Sequence, residues 1–299
     1  MASSPIQVFD PRAVRRHRAR ALGPEPHALA AEAAQRLAER LDEVRRRFPV
    51  ALDLGCGGGA LRAALAGKGG IERLVSADSA PACAAAAPSP ALAAEAEALP
   101  FAAGSFDLVA SSLALHWVND LPGALLQLRH ALKPDGLLLA NLWGGETLSE
   151  LRQALLEAEA ETVGGAGPRV SPFADGRDLG ALLQRAGFAL PVVDSDRMTV
   201  TYADALALMR DLRAMGEANA VIERRKGFSR RATLAAAAAR YAALGGAGGR
   251  ITATFELVTL TAWAPHESQP RPLRPGSAAH RLAAALDTDE RPAGDKAAP

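Results

Sequence analysis

The stretch that decides the fold is Leu52-Asp53-Leu54-Gly55-Cys56-Gly57-Gly58-Gly59, which follows the apolar pair Val50-Ala51. A short apolar run that stops at a cluster of glycines is typical of a buried strand in a parallel sheet. Glycines permit a tight turn and allow the backbone to approach a ligand closely. Residues 60–65 then have the apolar spacing of a helix. The stretch therefore predicts a strand, a ligand-binding turn and a helix in succession.

The glycine turn by itself leaves two interpretations open. Ala60 stands in the third small position and Asp78 follows at the distance of a ribose ligand, so the turn satisfies the dinucleotide pattern of NAD-dependent oxidoreductases. A glycine-rich connecting loop that binds nothing is the other interpretation. The sequence beyond the turn has to decide between them.

Strand and helix signals alternate along most of the chain. Apolar runs predict strands at 73–77, 106–111, 136–142 and 191–193, and helical periodicity predicts helices at 26–48, 121–132 and 178–186. Such alternation indicates a parallel sheet with helices on both faces. Two further helices, 202–216 and 229–244, have no strand between them, and the alternating run 251–263 predicts a late strand. We therefore expect a basic segment at 1–25, a domain at 26–265 with a helical insertion at about 203–249, and a Pro/Ala-rich tail at 266–299.

Composition excludes several classes of protein. The 34 Lys and Arg residues nearly balance the 33 Asp and Glu residues, which gives no reason to expect a nucleic-acid partner. Two cysteines in 299 residues argue against a disulfide framework. No stretch of about 18 residues is apolar enough to span a bilayer. The Arg-rich opening lacks the apolar part of a secretory signal, and Asp10-Pro11 interrupt it, so we expect a solvated basic helix rather than a mitochondrial presequence.

Four motifs in order resemble the class I S-adenosylmethionine-dependent methyltransferase family. The glycine turn is the first, and Asp78, which follows the apolar run Leu74-Val75-Ser76-Ala77, is the second. The third and fourth are Glu95-Ala96-Glu97-Ala98-Leu99-Pro100-Phe101 and Ser105-Phe106-Asp107-Leu108-Val109. The resemblance implies a Rossmann-like α/β fold with a mostly parallel seven-stranded sheet, helices on both faces and the helical insertion before the last strand. It also implies S-adenosyl-L-methionine as the cofactor.

The same resemblance implies which residues bind the cofactor. They are Asp53, Gly55, Cys56, Gly57, Asp78, Ser79, Glu95, Ala96 and Ser111. Asp78 has the clearest physical role, because a carboxylate can accept hydrogen bonds from both ribose hydroxyls. The alternative for Asp78 is to cap the helix that follows it. Glu95 stands where many members of the family have an Asp that contacts the adenine amino group.

A closer resemblance extends from Phe9-Asp10 to about Ser277, mostly outside the cofactor motifs. Its pieces are Ser112-Leu113-Ala114-Leu115-His116-Trp117-Val118-Asn119-Asp120-Leu121-Pro122, Gly144-Gly145-Glu146-Thr147-Leu148, Ser171-Pro172-Phe173, Asp178-Leu179-Gly180, Arg185-Ala186-Gly187-Phe188, Met215-Gly216-Glu217-Ala218-Asn219 and His266-Glu267-Ser268-Gln269. They are similar to the mitochondrial complex I assembly factor 5 family. That family implies a respiratory complex I subunit as the protein partner and hydroxylation of an arginine in it. Without an evident presequence, we expect a bacterial counterpart in the cytoplasm, with peripheral contact at the inner membrane left open.

The segment after the fourth strand reaches the carboxyl edge of the sheet, where open α/β folds bind ligands. We therefore predict catalytic roles for His116 and Trp117, and packing in the core is the alternative for both. Glu217, Asn219 and His266 are predicted to contact the acceptor substrate. Gly216 can equally make Glu217 and Asn219 the end of a helix, and His266 can be a solvated loop residue.

The chemistry of the reaction stays open between methylation and hydroxylation. Methyl transfer from a sulfonium needs mainly an acceptor positioned in line with the methyl group. Hydroxylation needs activated oxygen, and a non-haem iron site requires two histidines and a carboxylate. The six histidines show no such spacing, so we predict no metal site.

Three functions are compatible with the sequence. The first is modification of a protein side chain, by methylation or hydroxylation, in complex I assembly. The second is methylation of a small molecule, as by the malonyl-acyl carrier protein O-methyltransferase of biotin synthesis. The third is a noncatalytic assembly chaperone that binds the cofactor.

Overall fold

The computed structural model describes residues 7–245, 247–270 and 281–289. These residues belong to two units, with the boundary between Pro265 and His266. The second unit contains a short helix, Leu282–Ala285. Much of the predicted Pro/Ala-rich tail, residues 271–280 and 290–299, lies outside the described residues.

The first unit is built on one sheet of seven strands, in the order β3-β2-β1-β4-β5-β7-β6. The strands are β1 (Val50–Leu54), β2 (Arg73–Asp78), β3 (Ala91–Ala93), β4 (Phe106–Ser112), β5 (Leu132–Trp143), β6 (Ala189–Tyr202) and β7 (Ile251–Trp263). The pairs among β1 to β5 are parallel, and β7 runs antiparallel to both β5 and β6. Because β1 lies between β2 and β4, the chain crosses over beside it. This crossover is the switch point where open α/β sheets bind ligands.

Nine helices belong to the described part of the first unit. They are α1 (Pro11–Arg20), α2 (Ala28–Glu39), α3 (Ala60–Ala64), α4 (Pro81–Ala86), α5 (Leu121–Ala131), α6 (Ser149–Val163), α7 (Gly176–Arg185), α8 (Ala205–Met215) and α9 (Arg231–Ala243). Aspartates start several of them, since a carboxylate can accept hydrogen bonds from the free N–H groups of the first turn. Asp10 accepts from Arg12 N and Ala13 N, and Asp120 accepts from Gly123 N.

Helices cover both faces of the sheet, as the alternation of side chains along β1 shows. Leu52 packs in one buried cluster with Leu125 of α5. Its neighbour Ala51 packs in another with Leu37 of α2 and Leu61 of α3. Successive residues of a strand point to opposite faces, so each face buries its own apolar layer.

Several predicted elements differ from the observed ones. The predicted helix 26–48 is α2 followed by a 3-10 turn, Arg40–Glu43, and the predicted strand 191–193 is the longer β6. The short elements β3 and α4 and the long helix α6 had no prediction. The bounds of β1 and β7 are those that the sequence predicted.

The N-terminal segment is joined to the loop that follows α8. Phe9 forms an isolated antiparallel bridge with Val221. Asp10 N donates to Ala220 O at 2.8 Å, and the Asp10 carboxylate pairs with Arg224 at 3.0 Å. His17 Nδ1 donates to Ala218 O at 3.0 Å. We call α1 and the loop 216–224 together the cover.

No helix in the described residues combines the length and the apolar character needed to cross a membrane.

Candidate functional site

The floor of the site lies where β1 and β2 end, and the glycine turn is fixed there by backbone contacts. Gly55 N and Cys56 N both donate to Ala77 O, at 2.7 and 3.1 Å. Gly55 has a φ of +79°, and a Cβ at this position would lie 2.2 Å from the Cβ of Ala114. Only glycine fits such a conformation against such a neighbour. We call residues 53–57 and 78–80 the floor.

Asp78 is the charged centre of this floor. Its carboxylate is buried and accepts hydrogen bonds from Gly57 N at 2.9 Å and Ala80 N at 2.8 Å. It also pairs with Arg18, whose Nη2 lies 2.8 Å from Oδ2. Burial alone would raise the pKa of Asp78, but the charge and hydrogen bonds of Arg18 outweigh it and hold that pKa below its ordinary value. The capping residue of α4 is Ala80, so capping that helix is not the role of Asp78.

Arg18 belongs to the site although the sequence analysis did not select it. The expectation of a solvated helix is wrong at this residue, whose side chain is only 12% exposed. Besides Asp78, the guanidinium donates to Gly55 O at 2.9 Å and Leu113 O at 3.3 Å. The available signal was the position of Arg18 four residues after Val14, on the face of α1 that is buried.

Two cavities meet at Arg18 and Gly55, which line both. The first, which we call the sheet-edge cavity, has a volume of about 410 Å³. The predicted cofactor residues in its wall are Gly55, Asp78, Ser79, Glu95 and Ala96. The second, the glycine-turn cavity, has about 80 Å³ and is lined by the turn itself, Leu113 and Glu217. Together they form a groove across the end of the sheet, with the Arg18 side chain between the two parts.

Two predicted cofactor residues lie beneath this groove. Neither Asp53 nor Ser111 lines one of the cavities described here. Ser111 donates to Leu54 O at 2.8 Å and so ties β4 to the end of β1. Asp53 is fully buried, and neither of its carboxylate oxygens has a partner among the described residues. Burial raises its pKa to about 7, against the opposing charge of Arg62.

The other end of the sheet-edge cavity is formed by Trp117 and Glu95. Trp117 packs edge-on against Phe9 at 5.3 Å. Its Nε1 is buried without a hydrogen-bond partner in the described part of the chain. Glu95 pairs with Arg15 of α1 at 2.6 Å. The cavity thus offers both hydrogen-bond donors and acceptors.

His116 lies behind this wall. It is buried between the rings of Trp117 and Phe173, and its Nε2 donates to Glu217 at 3.0 Å. No cavity described here has His116 in its wall. His116 therefore does not face a cavity in which it could contact the substrate, as was predicted. It contacts Glu217 and orients that side chain instead.

The predicted acceptor residues separate into two groups. Glu217 follows Gly216, which does end α8, and its side chain is 8% exposed. Glu217 and Asn219 both line a third cavity of about 200 Å³, which we call the apolar cavity. Asn219 also donates to Pro168 O at 2.6 Å. His266 belongs to the second unit, where its Nδ1 contacts the Ser268 hydroxyl at 2.7 Å.

Known proteins match this chain in two ways, through a domain family model and through relatives that are similar over most of its length. A family model described as a methyltransferase domain matches residues 52–140. The arginine-hydroxylase NDUFAF5 of Danio rerio is 43% identical over 255 residues, covering 84% of this chain and 79% of that protein. A malonyl-[acyl-carrier protein] O-methyltransferase of Xylella fastidiosa is 38% identical over 246 residues, covering 79% and 81%.

The chain belongs to the class I S-adenosylmethionine-dependent methyltransferase family. This replaces both interpretations of the glycine turn, the NAD-type turn and the loop that binds nothing, and confirms the resemblance that the motifs carry. The solved structure of the YcgJ protein of Bacillus subtilis supports the fold class, with a TM-score of 0.54 at 14% identity, covering 77% of this chain and 98% of that one. The predicted seven-stranded, mostly parallel sheet is confirmed.

The groove of this methyltransferase fits S-adenosylmethionine, the cofactor of the family. The buried Trp117 Nε1 has no hydrogen-bond partner among the described residues, and Trp117, Asp78 and Glu95 all line the sheet-edge cavity. At the glycine turn, Gly57 has a positive φ of +47°, which favours glycine, and a Cβ there would lie 3.3 Å from Arg18 Nη2. The carboxylate of Asp78 pairs with Arg18, so cofactor hydroxyls at this position would share it with that guanidinium.

Proposed function

We propose that this methyltransferase modifies an arginine side chain of a respiratory complex I subunit during assembly of that complex. The observation that carries the proposal is the similarity to NDUFAF5, a protein named as an arginine-hydroxylase. That similarity covers 84% of the chain and so extends well beyond the methyltransferase domain at residues 52–140. The resemblance to the complex I assembly factor 5 family supplies the partner.

Within this proposal, the groove binds S-adenosylmethionine, which supplies an activated methyl group when bound. Asp78 accepts from the ribose hydroxyls, and Ser79, Glu95 and Ala96 surround the adenine. Gly55, Cys56 and Gly57 hold the amino-acid end with their backbone. Ser111 acts from beneath the groove, since it ties β4 to the end of β1, and Asp53 lies buried beneath the groove without lining it.

The test compares complex I subunits from a strain that lacks this chain with the same subunits after incubation with the purified protein and S-adenosylmethionine. The incubation is done in air with an added electron donor, because insertion of one oxygen atom from O₂ needs two electrons, and the other oxygen atom leaves as water. Peptide mass spectrometry then locates any residue whose mass has increased. An arginine that gains one methyl group indicates methylation, and one that gains one oxygen atom indicates hydroxylation. Both results support the proposal, and an unmodified set of subunits contradicts it.

The Asp78→Ala variant is the control in the same strain, because it removes the proposed ribose contact. We expect this variant to lose both the modification and the restored assembly of complex I. Restored assembly without modification would instead indicate a noncatalytic chaperone.

A second candidate is O-methylation of malonyl-acyl carrier protein. It is favoured by the Xylella fastidiosa relative, whose coverage of this chain is almost as large as that of NDUFAF5. Growth without biotin, in a strain that lacks its own malonyl-acyl carrier protein O-methyltransferase, tests it directly. Rescue of growth would favour this second function over the first.

A further inference from the structure

Glu217 stands where two cavities meet. It is the one residue that lines both the glycine-turn cavity and the apolar cavity. The apolar cavity in turn shares Val170 and Phe173 with a more open cavity of about 500 Å³. Glu217 therefore lies between the apolar cavity and the glycine-turn cavity, and Phe173 lies between the apolar cavity and the more open one.

The walls of the apolar cavity suit a long aliphatic chain. They include Leu148, Leu151, Leu155, Phe173, Met209 and Leu212. Apolar walls favour methylene groups that leave water. The apolar walls do not stabilise a charged group. A charge on an entering side chain therefore needs an oppositely charged group at the inner end of the cavity.

That inner end carries a buried negative charge. The Glu217 carboxylate is oriented by His116 Nε2, its one ion-pair partner among the described residues. Arg18, in the same glycine-turn cavity, interacts electrostatically with Glu217, but its guanidinium donates its hydrogen bonds to Asp78, Gly55 O and Leu113 O. A buried carboxylate is stabilised by a cation that hydrogen-bonds to it.

The two arginines of the apolar cavity do not supply that cation. Arg169 is neutralised by Glu159, with 2.5 Å between Nη2 and Oε1. Arg213 is exposed to solvent, and its charge is screened by water. The charge that an entering group meets in the buried part of the cavity is therefore that of Glu217.

From these contacts we infer that Glu217 recognises the guanidinium of the substrate arginine, and that the apolar cavity holds its aliphatic stem. A planar guanidinium can donate two parallel hydrogen bonds to a carboxylate, which an ammonium cannot. The inference rests on the proposed function, since it names the residue that selects arginine. His116 is a positioning residue, because it fixes the orientation of Glu217.

The test measures binding without turnover. The probes are Nα-acetyl-arginine N-methylamide, its lysine counterpart and its neutral citrulline counterpart, each titrated by NMR into the full chain saturated with S-adenosylhomocysteine. We expect the arginine probe to bind roughly tenfold or more tightly than the citrulline probe, as for a charge-assisted hydrogen bond in a buried site. The lysine probe should lie between them. Equal binding of all three would overturn the inference.

Glu217→Gln should abolish this preference for arginine. Glu43→Gln, at an exposed position, should leave the preference unchanged. If Glu217→Gln weakens S-adenosylhomocysteine and keeps the preference, the carboxylate serves the cofactor and the inference fails. The wild-type comparison stands even if the variant does not fold. A wild-type preference for arginine together with unmodified complex I subunits would contradict the proposed function alone.

Discussion

The floor and the cover of the groove differ in how far apart along the chain their contacting residues lie. In the floor, Gly57 donates to Asp78, 21 residues away. In the cover, Asp10 contacts Arg224, 214 residues away, and His17 contacts Ala218, 201 residues away. A short motif can therefore encode the floor, whereas the cover needs two segments that lie about 200 residues apart. Arg18 is the side chain that joins the two regions.

Replacing the Arg18 side chain, which connects the floor and the cover, should have the largest effect on stability. Arg18→Met leaves the Asp78 carboxylate buried without its cation, and removing one partner of a buried ion pair costs about 3–5 kcal/mol. We expect the free energy of unfolding at neutral pH to fall by that amount, measured by urea denaturation. Arg16→Met, at an exposed position on the same helix, is the matched control and should change little.

The pH dependence of the same variant sharpens the result. The pKa of Asp78 is held below its ordinary value of 3.8 in the folded protein. Its contribution is therefore complete above that value and is lost as the pH falls through the lower folded pKa. The difference between wild type and Arg18→Met should shrink in that acidic window, and a constant difference would contradict the role given to the pair.

A change confined to the floor should come next. Gly55→Ala combines a left-handed φ with a Cβ that would overlap Ala114, and we expect a loss of about 3 kcal/mol in the free energy of unfolding. Gly58→Ala is the control, because a Cβ there meets nothing within 4 Å. Equal losses in the two variants would mean that the close approach at Gly55 is not what constrains the turn.

Asp53→Asn should stabilise the floor in a pH-dependent way. Burial raises the pKa of Asp53 from 3.8 to about 7, so the wild-type protein loses stability as the pH rises through this window. Each unit of pKa shift corresponds to about 1.4 kcal/mol. The buried Asn amide also loses its contacts with water, which offsets part of this difference. We therefore expect the free energy of unfolding to rise by about 2 kcal/mol in mildly alkaline buffer. Thermal unfolding across the window measures it, and no gain at alkaline pH would show that Asp53 has a partner in solution.

The smallest effect should come from the cover alone. Asp10→Asn keeps a side chain that can cap α1 but removes the charge that pairs with Arg224. Since the pair is partly exposed, we expect a loss of up to about 1 kcal/mol. Asp10→Ala, which also loses the cap, should lose about 1 kcal/mol more in the same urea denaturation assay. Equal losses in the two variants would show that the cap contributes nothing.

The difference in sequence separation between the contacts of the floor and those of the cover also explains how much of the structure could be predicted from the sequence. The bounds of β1 and the place of Asp78 follow from local apolar runs and glycines, which act over a few residues. The long strand β7 was equally predictable, because its alternation of β-branched and polar residues is continuous.

Other elements could not be predicted from the sequence, for physical reasons. β6 pairs only with β7 at the edge of the sheet, and its polar stretch from Asp194 to Arg197 reads as a loop. β3 has three residues, too few for a period to show. In the site, the burial of Arg18 and the contact of His116 with Glu217 arise from packing between distant segments, which no local pattern reports.

The contact between Asp10 and Arg224 has a consequence for the newly made chain. Domains fold as they are synthesised, at about 5–20 residues per second. With 214 residues between the two partners, α1 leaves the ribosome about 10–40 s before Arg224 is made. During that interval α1 lacks its contacts with residues 216–224, while the floor residues Gly55 and Asp78, which Arg18 contacts, have already been made. The site of this protein is thus completed by one of the last segments of the domain to be translated.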